Sequence, residues 1–114
     1  MSDCVFCKIV SRQLSSSIVY EDEEFLAFRD INPVAPTHVL LIPKKHMSSL
    51  LDVPEQDAPL LGRLMSLAAK LAKDLGLADE GFRVVINTGK NGGQTVGHLH
   101  LHLLGGRALQ WPPG

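Results

Sequence analysis

His98-Leu99-His100-Leu101-His102 constrains this chain more than any other stretch. Side chains on a strand alternate between its faces. Read as a strand, the run puts three imidazoles on one face and Leu99, Leu101 and Leu103 on the other. The leucines anchor it in a core, and the histidines form a row of groups that titrate near neutrality. Such a row is expensive to bury, which suggests chemistry; the plain alternative is three histidines on a solvated face. The spacing argues against one metal held by all three. Over four strand steps of ~3.3 Å the outer Cα atoms stand roughly 13 Å apart. A zinc ion lies within about 6–7 Å of a ligand's Cα. Both outer rings would have to lie along the strand and collide with the middle one. A metal shared by two of the three stays open.

The rest of the chain predicts an α+β fold: a mostly antiparallel five-stranded sheet, one long helix and a short N-terminal helix. Residues 5–10 form a short apolar run of one or two helical turns. Residues 18–21 and 24–28 read as strands around the acidic turn Asp22-Glu23, and residues 37–42 as a third strand ended by Pro43. Near residues 55–75, Leu60, Leu64, Leu67, Leu71 and Leu75 recur at helical spacing. Pro59 fits only in that helix's first turn, and Gly76 is a good stop. Residues 82–87 and 98–104 complete the strands, with a loop over 88–97 between them. So small a sheet has exposed edges, which invites pairing with a second copy.

At 114 residues the whole chain, 1–114, reads as a single domain. Eleven lysines and arginines stand against twelve acids, for a net charge of −1. That balance argues against nucleic-acid and membrane-surface partners, which select basic proteins. No apolar run approaches the ~18 residues of a membrane span. The N-terminal Met1-Ser2-Asp3-Cys4-Val5-Phe6 carries no basic segment followed by a long apolar one. The expectation is a cytoplasmic protein. Cys4 and Cys7 form a C-x-x-C, which in a reducing compartment reads as a metal half-site or a redox pair, not a structural disulfide.

The loop before the histidine run, residues 88–97, contains Gly89, Gly92, Gly93 and Gly97. Glycines let backbone N–H groups turn toward an anion. Thr95 adds a hydroxyl and Asn87 an amide. Most glycine-rich loops are only turns, but beside a histidine row this one suggests a phosphate held next to a nucleophile. A neutral imidazole attacks phosphorus competently, provided one ring nitrogen is free and the other donates its proton to an acceptor. His100, with a histidine on either side, is the best-placed nucleophile.

Residues 92–107, Gly-Gly-Gln-Thr-Val-Gly-His-Leu-His-Leu-His-Leu-Leu-Gly-Gly-Arg, resemble the signature of the histidine triad superfamily, His-φ-His-φ-His-φ-φ with φ apolar. Residues 36–46 (Pro-Thr-His-Val-Leu-Leu-Ile-Pro-Lys-Lys-His) and the terminal Trp111-Pro112-Pro113-Gly114 resemble its Hint branch, the histidine triad nucleotide-binding proteins. The resemblance implies a homodimer with the sheet continued across the two copies. It also implies a purine nucleoside phosphoramidase, releasing a nucleoside monophosphate from a P–N linked amine without a catalytic cofactor. His100 matches the family nucleophile, which forms a nucleotidyl-histidine, and His102 the histidine contacting phosphate. His38 matches a fourth, supporting histidine. Asn87 and Thr95 match phosphate-side and leaving-group contacts, with Gly93 and Gln94 beside them in the signature. Threonine at 95 is a departure, since the family often has serine; its methyl group puts leaving-group preference in question. Asp30 matches the carboxylate that grips the ribose, with Ile31 beside it. Phe6, Ile9 and Phe28 match the apolar base pocket; by themselves they read as core residues, and Asp30 as a turn residue.

Some bacterial-type relatives of this kind hold a structural zinc. By that resemblance Cys4 and Cys7 are joined by His46 and His98 as a Cys₂His₂ site. Two small buried thiols are the plain alternative. Lys44 and Lys45 read as a solvated strand end more readily than as a lure for an anionic substrate. Two other functions compete: a purine-nucleotide-binding interaction module with little turnover, and a dinucleoside polyphosphate hydrolase. The terminal motif and Gly105-Gly106-Arg107 favour the phosphoramidase over the latter.

Overall fold

The middle strands of this chain are apolar at successive positions, so both faces of the sheet must be covered. The computed structural model describes residues 3–114; residues 1 and 2, part of the N-terminal segment read above, lie outside them. Five antiparallel strands, β1 (Ile18–Glu21), β2 (Phe25–Arg29), β3 (Thr37–Pro43), β4 (Phe82–Val85) and β5 (Leu101–Gly105), lie in the order β1-β2-β3-β5-β4. Helix α2 (Ala58–Asp74) covers one face. Its stripe of Leu60, Leu64, Leu67, Ala68 and Leu71 packs on Phe25, Ala27, Val39, Leu41, Leu101 and Leu103. The alternate residues Leu26, Phe28, Leu40 and Ile42 face the other way and meet Phe6 and Ile9 of helix α1 (Val5–Val10). Among the described residues no helix is long and apolar enough to cross a membrane.

Three boundaries differ from the sequence reading by more than one residue. The long helix begins at Ala58, after two 3₁₀ turns at Leu50–Asp52 and Glu55–Asp57. Pro59 falls in its first turn, and Gly76 follows the last turn at φ 79°. Strand β4 stops at Val85 instead of residue 87, where Asn87 turns its side-chain amide onto the Gly92 carbonyl at 2.6 Å.

The third difference touches the histidine row. Strand β5 starts at Leu101, so of the three histidines only His102 lies in it. Leu41 pairs with Leu101, which puts Pro43 opposite Leu99, and proline has no N–H to give a ladder. The Leu99 amide bonds instead to the Met47 carbonyl, at 2.7 Å. The alternation of side chains persists without the ladder. Leu99, Leu101 and Leu103 are at most 1% exposed in the α2 core. His98 and His100 lie edge-on to Phe6 on the opposite face, and His102 lies against His100.

Candidate active site and metal centre

On the α1 side of the sheet a cleft of ≈ 290 Å³ opens between α1, the end of β2 and the histidine run. Val5, Phe6, Phe28, Leu40 and Val96 make it apolar; Asp30, Thr95, His100 and His102 give it a polar side. Of the residues singled out in the sequence, Phe6, Phe28, Asp30, Ile31, Thr95, His100 and His102 line it together. His38 stands behind His102. Ile9 is buried among Phe6, Leu26 and Phe28 and does not line the cleft. Asn87, Gly93 and Gln94 do not line it either. Asn87 holds the Gly92 carbonyl, and Gln94 accepts from the Gly89 amide at 3.1 Å while donating to the Ser48 and Val96 carbonyls at 2.7 and 3.0 Å. Their amides shape the glycine loop that delivers Thr95. Gly92 is required there: a Cβ would stand 2.3 Å from the Thr88 oxygen. Lys44 and Lys45 pair with Glu21 and Asp57, each at 2.7 Å, away from the cleft. Val5, Ser16, Arg29, Asn32, Leu40 and Val96 also line it and were not foreseen. Leu40 shares a β3 face with His38 and was legible from alternation; Ser16 carries no sequence signal.

The hydrogen-bond network assigns the imidazole protons. The Nδ1 of His100 lies 2.7 Å from the His98 carbonyl oxygen, which can only accept. Nδ1 therefore carries the proton in the neutral ring, and Nε2 keeps its lone pair. That Nε2 has no protein partner among the described residues. His38 is set the other way. The Val34 N–H donates to its Nδ1 at 3.2 Å, so its proton sits on Nε2. His38 Nε2 then donates to Nδ1 of His102 at 2.9 Å, with Asp30 Oδ2 at 3.4 Å. The neutral His102 consequently carries its proton on Nε2. One cleft-lining imidazole thus offers a lone pair and its neighbour a donor.

Burial holds both relay rings in the neutral form. It pushes the His38 pKa below the usual imidazole range, with the Asp30 carboxylate opposing. It pushes His102 down to about 4, helped by the neighbouring His100 and His38. The depressed value in the fold has a consequence for stability. From about pH 6.5 down to about 4 the unfolded ring takes up a proton that the folded ring refuses. Stability therefore falls as pH falls through that window, and this ring contributes no pH dependence above it. His102 keeps partial contact with solvent, which brings the effect down to on the order of 1–2 kcal/mol. Urea unfolding of wild type and His102→Gln at pH 7.5 and 4.5 should show the smaller acid loss in the variant. Equal losses would refute the account.

A second cluster lies beside the first. Cys4 caps α1, its Sγ accepting from the Cys7 amide at 3.3 Å, so both thiols stand at one helix end. The turn after β3 brings His46 to them, and the start of the histidine run brings His98. His98 Nε2–H donates to the Pro43 carbonyl at 2.8 Å, leaving the Nδ1 lone pair inward. Converging on that nitrogen are Cys4 Sγ at 3.2 Å, Cys7 Sγ at 3.5 Å and His46 Nδ1 at 3.2 Å; His46 Nδ1 is 3.3 Å from Cys7 Sγ. One lone pair cannot serve three hydrogen bonds. A tetrahedral zinc with ordinary bond lengths spaces two nitrogens about 3.3 Å apart, and a nitrogen and sulfur about 3.6 Å. The donor set and its spacing fit zinc. Burial lowers the His98 pKa, against the raising effect of the Pro43 carbonyl, and so favours the neutral ligand form.

Asp30, His38 and His102 also bring ligand-type atoms close together. The same proton accounting separates this group from a metal centre. The outer nitrogen of His38 accepts, so its inner one must carry a proton. A ligating histidine needs the reverse arrangement, which His98 has.

The class is that of an antiparallel sheet carrying paired histidines beside an imidazole whose cleft-side nitrogen keeps its lone pair. A HIT domain family model matches residues 11–109, and the chain belongs to that family. It is 54% identical to an uncharacterised HIT-like protein of Synechocystis, over 98% of this chain and 97% of that one. It is 51% identical to a 14 kDa zinc-binding protein of Brassica juncea, over 98% of this chain and all of the relative. The crystal structure of a HIT family hydrolase from Legionella pneumophila superposes with TM-score 0.96 at 51% identity, over 98% of this chain and all of that one.

Proposed function

We propose that this chain is a Hint-type purine nucleoside phosphoramidase. The observation that carries the reading is the pairing of opposite tautomers: a stripped His100 Nε2 beside a protonated His102 Nε2, both lining the cleft. His100 Nε2 attacks phosphorus and the P–N bond breaks. The amine departs with a proton drawn from solvent, leaving the nucleotide bonded to His100. Water then attacks phosphorus, the P–Nε2 bond breaks, and nucleoside monophosphate leaves while the water returns a proton to solvent. His102 Nε2–H is positioned to donate to a nonbridging oxygen as charge develops. Asp30, whose Oδ1 is tied to the Asn32 amide at 2.8 Å, presents its other oxygen to a ribose. Phe6 and Phe28, ring centroids 5.4 Å apart and edge to face, wall the base. The hydrolase similar to this chain supports hydrolysis as the reaction class.

Cys4, Cys7, His46 and His98 would hold zinc, and the similar zinc-binding protein supports that. Bound there, the ion would cross-link α1 to the histidine run; it would supply no step of the reaction. Thiols kept as ligands suit a reducing compartment such as the cytoplasm. Strand β4 is at the sheet edge and Trp111 is 80% exposed, which supports a homodimer with the sheet continued across it. Sedimentation as a monomer at micromolar concentration would remove that part.

Steady-state assay of an adenosine phosphoramidate beside a diadenosine polyphosphate tests the activity. The phosphoramidate should have the higher kcat/KM, by about 100-fold or more, because residues 36–46, 92–107 and 111–114 match the Hint branch. Preference for the polyphosphate would make the chain a dinucleotide hydrolase. Tight AMP binding with no turnover of either would make it a binding module.

A further inference from the structure

Ser16 lines the cleft, just before β1. Its Oγ is the one buried side-chain nitrogen or oxygen without a hydrogen-bond partner among the described residues. Native folds leave few such groups, because a buried unmatched hydroxyl costs on the order of 1–3 kcal/mol. The strand register locates it. Ile18 pairs with Phe28, and the Arg29 amide donates to the Ser17 carbonyl at 2.9 Å, so Ser16 stands opposite Asp30. Residues directly opposite in an antiparallel pair share a face, with Cβ atoms about 4.5–5.5 Å apart. Arg29 pairs with Val39, so Asp30 in turn stands opposite His38, and its amide donates to the His38 carbonyl at 3.0 Å. Across the sheet the order is Ser16, Asp30, His38 and then the histidine run. Ser16 therefore lies on the side of Asp30 away from the cleft imidazoles.

We propose that Ser16 is a specificity-determining residue whose hydroxyl donates to the 2′-oxygen of the ribose. The inference rests on the nucleotide reading above, with phosphate at His100 and His102 and ribose at Asp30. A carboxylate only accepts, so Asp30 can take a ribose O–H but cannot donate to a ribose oxygen. Ser16, opposite it on the same face, carries a donor with no acceptor of its own. The order across the sheet selects the oxygen. Phosphate hangs from C5′, which is bonded to C4′ beside C3′. C2′ lies one carbon further from the phosphate, next to the carbon that bears the base. A hydroxyl beyond Asp30 from the phosphate histidines therefore meets O2′. No bond holds the Ser16 Oγ in its buried position, and a serine hydroxyl turns among three staggered positions, so facing the ribose breaks nothing. Asn32, another amide-bearing donor in the lining, is solvent-exposed and gains little that water does not already supply. The site thereby favours ribonucleotides over 2′-deoxyribonucleotides by more than Asp30 alone provides.

Calorimetric binding of AMP, 2′-deoxyAMP and 3′-deoxyAMP tests this in wild type and Ser16→Ala. The variant should bind AMP and 3′-deoxyAMP about 3- to 10-fold more weakly than wild type does, the range of one net hydrogen bond. It should bind 2′-deoxyAMP as wild type does, because that ligand has no 2′-oxygen to lose. Its thermal stability without nucleotide should match or exceed wild type, because the hydroxyl makes no bond there. Equal weakening of all three ligands, or of none, overturns the assignment, and so does weakening confined to ligands that keep the 3′-hydroxyl. A variant markedly less stable than wild type without nucleotide would mark the hydroxyl as structural and overturn it too. Ser16→Cys, with nearly the same shape and a weak hydrogen-bonding group, should behave like the alanine variant, and wild-type affinity for AMP in it would also count against the assignment. Failure of wild type to bind AMP would instead sink the nucleotide reading, and this inference with it.

Discussion

His100→Ala is expected to lower turnover of an adenosine phosphoramidate by about 10⁴- to 10⁶-fold, as loss of a covalent nucleophile does. The reason lies in the backbone. The His98 carbonyl accepts a hydrogen bond from His100 Nδ1–H, so the Nε2 lone pair is presented on the cleft side without any proton transfer beforehand. No other cleft residue can replace it. His102 faces the cleft with a proton on Nε2, and turning its lone pair outward would break the 2.9 Å bond from His38. Removing His102 should accordingly be milder, about 10²- to 10³-fold, the loss of one donor to the developing charge. AMP binding should survive in His100→Ala, because the base and ribose walls are untouched. Rapid-quench mass spectrometry should find nucleotide covalently on wild type and not on the variant. A variant retaining activity within about tenfold of wild type would remove His100 from the nucleophile's role.

The second large effect concerns the Cys₂His₂ cluster. Purified protein should carry about one zinc per chain, and Cys7→Ser should lose it. The midpoint of thermal unfolding should then drop by about 10 °C or more. Structural zinc contributes folding free energy outright, and about 3 kcal/mol suffices for such a shift in a domain of this size. The loss should reach activity too. His98 is fully buried, its ring packs against Phe6, and its carbonyl sets the His100 tautomer. Loosening His98 therefore loosens the nucleophile. Metal analysis and calorimetry of wild type, Cys7→Ser and chelator-treated protein check this together. A metal-free wild type with an unchanged midpoint would refute the zinc assignment.

Much of the architecture was legible because it is written in local periodicity. The leucines of α2, the apolar runs of β2 and β3 and the turn at Asp22-Glu23 follow from spacing and turn chemistry. The start of β5 was not, because it depends on a strand distant in sequence: Pro43 stands opposite Leu99 and withholds the donor that would extend the ladder. The loop-shaping bonds of Asn87 and Gln94 were not legible for a similar reason. Both are polar residues in a glycine loop, and only the fold reveals that their amides are consumed in shaping it. Ser16 gave no signal at all, since a missing partner is a property of the surroundings.

By itself the sequence determined the residue types and their faces. Leucines alternating with histidines had to separate into a buried and a reactive side, ladder or no ladder, because successive side chains on extended backbone point opposite ways. What the tertiary structure alone decided is which nitrogen of each imidazole is free. The Val34 amide, the His98 carbonyl and the Pro43 carbonyl each assign one proton, and two of these three lie outside the triad's own segment. Imidazole tautomers are nearly equal in energy, so the nearest backbone donor or acceptor settles the choice. Three identical residues thereby take the proton states that a metal ligand, a nucleophile and a hydrogen-bond donor require.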